Sequence, residues 1–239
     1  YSAVSASLRF FSLGEVFLSD MEDMTINPYE FAIDAGYSRM LSERFSMAVN
    51  MRFIFSDIRY DYTAESSAGK AFAADIAMYR LGYFMMGSRE CSFAWGLNIN
   101  NIGSKISYGG DDNAEFIPTN LRLGLNMTVP FNEYNKFSVA VDANKLLVPT
   151  YPKQDTENGE TDNDYTDRVQ KDYYDVSPIA GIFKSFYDAP NGFKEEMQEI
   201  QWSVGCEYTY NDRFMLRGGY HHEAANKGNR KYFTVGAGF

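Results

Sequence analysis

The chain has 239 residues, 22 basic against 32 acidic side chains, a net charge of −10, 18 Tyr and 19 Phe. With no basic stripe to neutralise phosphates, nucleic acid is excluded as a partner. No run of about 18 or more uncharged apolar residues is present, which excludes a transmembrane helix, but a membrane barrel needs only strands of about 9–11 alternating residues.

Side chains along a β-strand point alternately to its two faces, so an apolar–polar alternation marks a strand with one greasy and one wet face. Alternating runs predict about ten strands. The first covers Ser2 to Leu18, with Leu8 and Phe10 on one face and Arg9 opposite. Glu30 to Arg39 sets Phe31, Ile33, Ala35 and Tyr37 against Asp34, Gly36 and Ser38. Phe45 to Asp57 sets six apolar residues against Ser46, Asn50, Arg52 and Ser56. Lys70 to Arg80 carries Asp75 on its polar side, and Cys91 to Asn101 carries Asn98 and Asn100. Asn120 to Val129 holds Arg122, and Lys136 to Asn144 holds Asp142. In Glu199 to Tyr210 the apolar face is Ile200, Trp202, Val204, Cys206, Tyr208 and Tyr210, with Glu207 opposite. Asn211-Asp212 reads as a tight hairpin turn. After it, Phe214, Leu216 and Tyr220 face one way and Arg213, Arg217 and His221 the other. Arg230 to Phe239 closes the series.

The connections alternate in length. Short ones fall around 41–44, 87–90, 131–135 and 211–212. Longer polar ones fall at Ser19 to Tyr29, Tyr60 to Gly69, Ser104 to Thr119, Leu147 to Gln198 and Glu223 to Lys231. Strict alternation means an up-and-down meander. In outer-membrane barrels the short turns are periplasmic and the long loops extracellular. The expected fold is therefore all-β: a transmembrane up-and-down antiparallel barrel in one domain, with a long extracellular loop at 147–198. The sequence starts within one strand-like run and stops within another, so it reads as part of a longer precursor whose targeting signal lies outside it. On this reading Arg9, Asp34, Arg52, Asp75, Arg122, Asp142, Glu207 and Arg217 face the lumen, because isolated charges facing lipid would each cost about 2–4 kcal/mol at mid-bilayer. A network bracing the barrel is the first reading of these charges, and a transport site the other.

The long loop joins two unlike segments. Gln154 to Asp175 holds eight acidic residues against Arg168 and Lys171 and reads as mobile and solvated. Its DTENGETDND stretch does not match the spacing of an EF-hand calcium loop. Ser177 to Phe193 is apolar and aromatic, and Lys194 to Gln198 reads as a short helical turn. Ile182, Phe183, Phe186, Tyr187 and Phe193 would be costly to leave in water, so they must meet the lumen mouth, lipid or a partner.

No phosphate-binding glycine loop, metal-spaced Cys/His cluster or nucleophile elbow is present. His221 and His222 are adjacent and point to opposite faces of a strand, and no spacing brings a Ser and an Asp to either. No enzyme, cofactor or metal is expected. Cys91 and Cys206 lie far apart on apolar faces and read as free thiols rather than a disulfide.

NKLLVPTYP (Asn144 to Pro152), SPIAGIFKSFYDAPNGFKEEMQEIQWSVGCEYTY (Ser177 to Tyr210) and KGNRKYFTVGAGF (Lys227 to Phe239) resemble the PorV (LptO) family of the type IX secretion system, outer-membrane proteins of the FadL-like barrel group. The resemblance implies 14 strands in the full protein, a plugged lumen and a shuttle role. Its implied partners are the translocon barrel, the C-terminal signal domains of secreted cargo, a PorU-like protease of the attachment complex, and outer-membrane lipid or lipopolysaccharide. It offers no catalytic motif. The alternative is a FadL-type transporter of hydrophobic small molecules.

Overall fold

Ten alternating runs form ten antiparallel strands, each hydrogen-bonded to the next along the chain. The computed structural model describes residues 1–17, 25–58, 67–109, 114–155 and 159–239. In chain order the strands are β1 (Ser2–Ser12), the two-residue pieces β2 (Val16–Phe17) and β3 (Thr25–Ile26), β4 (Tyr29–Ser42), β5 (Phe45–Asp57) and β6 (Gly69–Met86). There follow β7 (Arg89–Gly103), β8 (Asn120–Pro130), β9 (Asn135–Leu146), β10 (Gln201–Tyr210), β11 (Phe214–His222) and β12 (Lys231–Gly238). The sheet order is β1-β4-β5-β6-β7-β8-β9-β10-β11-β12, while β2 and β3 pair only with each other. The chain is thus all-β and an up-and-down meander, the sheet of an outer-membrane barrel. No described helix is long and apolar enough to cross a membrane.

The first run is shorter than the alternation predicts. The strand stops at Ser12, Gly14 turns the chain at φ 77°, and Val16 then pairs with Ile26. Its expected end, Leu18, and most of the expected connections Ser19 to Tyr29 and Tyr60 to Gly69 lie outside the described residues. The tight turn at Asn211-Asp212 is of the primed kind: both residues have positive φ, 53° and 52°, which matches the twist of the flanking strands.

The register keeps the two faces separate from edge to edge. Leu8, Ile33, Phe53 and Phe72 stand side by side across β1, β4, β5 and β6, as do Leu125, Val141, Val204, Tyr220 and Phe233 across β8 to β12. Rings pack along this face, Phe31 on Phe55 at 5.0 Å and Phe53 on Phe72 at 5.1 Å between centroids. The other face carries the matching polar rows, such as Ser7, Asp34 and Arg52. One irregularity interrupts the pattern. Ala74 pairs with Ile102 but Ile76 with Ile99, so β7 bulges by one residue at Asn100–Asn101, and Asn101 takes a φ of 58°. The bulge lets Ile99 and Ile102, three apart, lie on the same face.

At the end bearing the longer connections, the β7–β8 connection folds back over the polar face. Its Ile117 packs on Ala71 and Ala73, with Ile54 and Ile106 against them. Between Asp162 and Tyr174 the β9–β10 connection is helical, where its composition suggests a mobile acidic segment. Thr161 caps α1 (Asp162–Val169) by accepting from the Asp164 amide, and a π-helical turn follows at Gln170–Tyr174. Asp162 and Asp164 sit in the first turn of α1, where the helix dipole favours negative charge. Next come α2 (Pro178–Lys184), capped by Ser177, and α3 (Phe193–Gln198).

Candidate functional site

Two constellations stand out, one on the polar face and one at the rim. On the polar face β1, β4, β5 and β6 bring together Arg9, Asp34, Arg52 and Asp75. Arg52 Nε donates to Asp34 Oδ1 at 2.6 Å and Nη2 to Asp75 Oδ2 at 3.0 Å, while Arg9 Nη2 donates to Asp34 Oδ2 at 2.9 Å. Asn50 Nδ2 donates to Asp34 at 3.0 Å and Ser7 Oγ to the same carboxylate. The bulge completes the cluster: the Asn101 amide, freed from the ladder, donates to Asp75 Oδ1 at 2.8 Å, and Asn101 Oδ1 accepts from Arg52.

The remaining four charges share this face but not this cluster. Glu207 and Arg217 sit opposite each other on β10 and β11 and form their own ion pair. Asp142 lies beside Gly124, and a Cβ there would come within 2.6 Å of the Asp142 carboxylate. Arg122 stands between Asn98 and Asn144 in register, and the side-chain oxygens of both are buried without a donor among the described residues.

The same register places Ser203 next to His221, with Oγ to Nδ1 at 3.0 Å. The sequence did not suggest that pairing. Asp142 is the neighbour of Ser203 on the side away from His221, and the His221 ring stacks on Tyr232 instead. Among the described residues the His221 ring meets Ser203 and Tyr232, not the carboxylate that orients a catalytic imidazole. Cys91 is buried and Cys206 exposed, both as free thiols. No group of three or more His, Cys, Asp or Glu among the described residues is placed to hold a metal.

At the rim, the β9–β10 connection is tied down from three sides. Lys105 Nζ donates to the carbonyls of Tyr173 and Tyr174 at 3.1 and 2.7 Å and lies 4.1 Å over the Phe116 ring. Tyr173 and Tyr174 donate their hydroxyls to Glu115. Burial and that carboxylate raise both phenol pKa values, Tyr174 to about 12. Gly181 of α2 lies so close to Phe116 that a Cβ would come within 2.6 Å of the ring. Lys145, buried at the end of β9, pairs with Glu196 at 3.0 Å and Glu199 at 2.6 Å. Lys227, from the β11–β12 connection, reaches Glu195 and Glu199. Asp188 accepts from the Thr150 amide at 2.8 Å, and burial pushes its carboxyl up.

On this anchored frame the aromatic residues predicted from Ser177 to Phe193 remain uncovered. Phe183 is 65% exposed, Phe186 47%, Tyr187 74% and Phe193 80%, while Ile182 is half-buried. Ile179 and Met197 are exposed as well. The sequence missed Lys105, Glu115, Lys145 and Lys227, which hold the platform. Lys105 and Glu115 come from the β7–β8 connection, Lys145 from the end of β9 and Lys227 from the β11–β12 connection, and only the fold brings them together.

A ten-stranded antiparallel meander with one apolar and one ion-paired polar face defines an outer-membrane β-barrel type of protein. The family model described as type IX secretion system protein PorV matches residues 1–153, from β1 through β9, and the chain belongs to that family. It is an outer-membrane component of type IX secretion. Among curated proteins none matches the sequence.

Proposed function

We propose that the protein is a non-enzymatic shuttle of the type IX secretion system. It binds the C-terminal signal domains of secreted proteins at the translocon barrel and hands them to the surface attachment complex, where a PorU-like protease acts. The long connections face the cell exterior, and Arg9, Asp34, Arg52, Asp75, Arg122, Asp142, Glu207 and Arg217 line the lumen. The observation that carries this reading is the exposed set Phe183, Phe186, Tyr187 and Phe193 on an anchored platform. Uncovered aromatics of this size are costly in water and are the side chains that dominate protein interfaces. Ion pairing across the polar face supports a bracing role there and counts against an apolar passage for small molecules.

The test is a mild-detergent pull-down of the full-length protein carrying Phe183→Ser and Tyr187→Ser, with heat-modifiable gel mobility reporting barrel assembly. The expected result is loss of the co-purifying secreted proteins from a fully assembled barrel. Unchanged cargo recovery would remove the loop from the binding surface.

A further inference from the structure

The aromatic patch is not one surface. Phe183 and Tyr187 project from the platform, whereas Phe186 and Phe193, with Met197, form one wall of a groove of about 300 Å³. Its other lining residues include Leu121, Leu123, Ala143, Ile200 and Trp202. The register puts Leu123, Ala143 and Trp202 side by side on the apolar face of β8, β9 and β10, one rung above Leu125, Val141 and Val204. The groove is therefore on the outside of the sheet, between the bilayer-facing wall and the underside of the loop.

We propose that this groove binds an acyl chain of a membrane lipid, from the leaflet bordering the end of the barrel that carries the long connections. Three observations select that occupant. The floor of the groove continues the face that meets the bilayer, so acyl chains reach it directly and no water has to be cleared first. The lining is almost wholly carbon, as apolar ligand sites are, and the volume lies at the lower end of their range. The cation at its edge, Lys145, already pairs with Glu196 and Glu199, so a chain in the groove strands no charge. Membership of an outer-membrane family supplies the bilayer; the cargo-binding role proposed above is not required.

The test is native mass spectrometry of the full chain, delipidated in detergent and then exposed to 1-palmitoyl-2-oleoyl-phosphatidylethanolamine. Ala143→Phe fills the groove floor while keeping the outer face apolar, and Ala143→Leu is the milder companion should the first assemble poorly. The wild-type protein and Phe183→Ser/Tyr187→Ser should each retain one phospholipid, and the Ala143 variants about tenfold less, equivalent to roughly 1.4 kcal/mol. Cargo recovery by the Ala143 variants should be unchanged, which separates this site from the surface formed by Phe183 and Tyr187. Equal retention by the Ala143 variants, no retention by the wild type, or retention of palmitate but not phospholipid would overturn the proposal. Loss of a bound protein with no loss of lipid would assign the groove to that protein and overturn it equally.

Discussion

Arg52 holds two carboxylates at once, Asp34 and Asp75, and all three side chains are largely shielded from water. Removing the guanidinium leaves both acids without their main counter-charge, and breaking a buried pair in this way costs about 3–5 kcal/mol. Arg52→Ala should therefore lower the stability of the detergent-folded protein by about 3 kcal/mol, read as a shift in its urea unfolding midpoint. Arg9 also contacts Asp34, but its side chain is 61% exposed, so Arg9→Ala should cost less than about 1 kcal/mol. Equal losses in the two variants would show that the cluster does not hinge on Arg52. The phase of the alternation located Arg9, Asp34, Arg52 and Asp75, because polar residues two apart share a face. It did not locate Asn101, which enters the cluster only through the bulge. The stretch NINNIG carries the signal: two polar residues in succession mark where the period of two slips. That the slip aims an asparagine amide at Asp75 depends on β6, some 26 residues away, and is beyond local pattern.

The β9–β10 connection is where elements and composition disagree most. Eight acidic residues suggested a mobile, solvated segment; Asp162, Asp164 and Asp167 are exposed, yet α1 forms because Thr161 caps it and because the turn after it docks through Tyr173 and Tyr174 on Glu115. The pattern Thr161-x-x-Asp164 and the pair Ser177-Pro178 were readable as helix starts. The docking was not, since Glu115 is 58 residues from Tyr173. The strands, by contrast, rest on a period of two that needs no distant partner to be recognised. The docked loop should open in acid. Hydrogen bonds from Arg168 hold the Glu160 carboxyl at about 2, against an ordinary 4.5, and Arg230 does the same for Glu223. A carboxyl with a depressed folded value binds more protons when unfolded, so its stabilisation is complete above about 4.5 and is lost as the pH falls toward 2. Asp188 runs the other way, since its carboxyl is raised by burial and protonation eases it. The sum therefore has to be read site by site. Hydrogen exchange at the α1 amides, corrected for intrinsic rates, should be faster at about pH 3 than at about pH 6, with the strand amides unchanged. Unchanged α1 protection would mean that the tyrosine docking, not the Glu160–Arg168 pair, holds the helix.

At the scale of the whole molecule every main strand pairs with its neighbour in sequence, so the sheet is built from local contacts joined in a row. The β9–β10 connection is an excursion from that row, and the cost of closing a loop rises only slowly with its length. The strands on either side do not depend on it for their register: every residue from Gln201 to Tyr210 has a partner in β9, from Asn144 to Asn135. Cutting the chain in the excursion should accordingly leave the sheet whole. Lys153 is exposed and lies outside any helix or strand, which makes it a ready site for trypsin, whereas lysines and arginines inside the ladder are protected by their pairing. Limited trypsin treatment should therefore give two pieces, cut after Lys153, that migrate together as one folded species on an unboiled gel and separate after boiling. Separation without boiling would mean that continuity through the loop, rather than the β9–β10 ladder and the ion pairs of Lys145 with Glu196 and Glu199, keeps the two parts joined. Co-migration would also leave the aromatic platform on its anchors, since α2 and α3 lie on the C-terminal side of the cut while Lys105, Phe116 and Lys145 lie on the N-terminal side. On the proposed shuttle role, the nicked protein should then still retain secreted proteins in a mild-detergent pull-down.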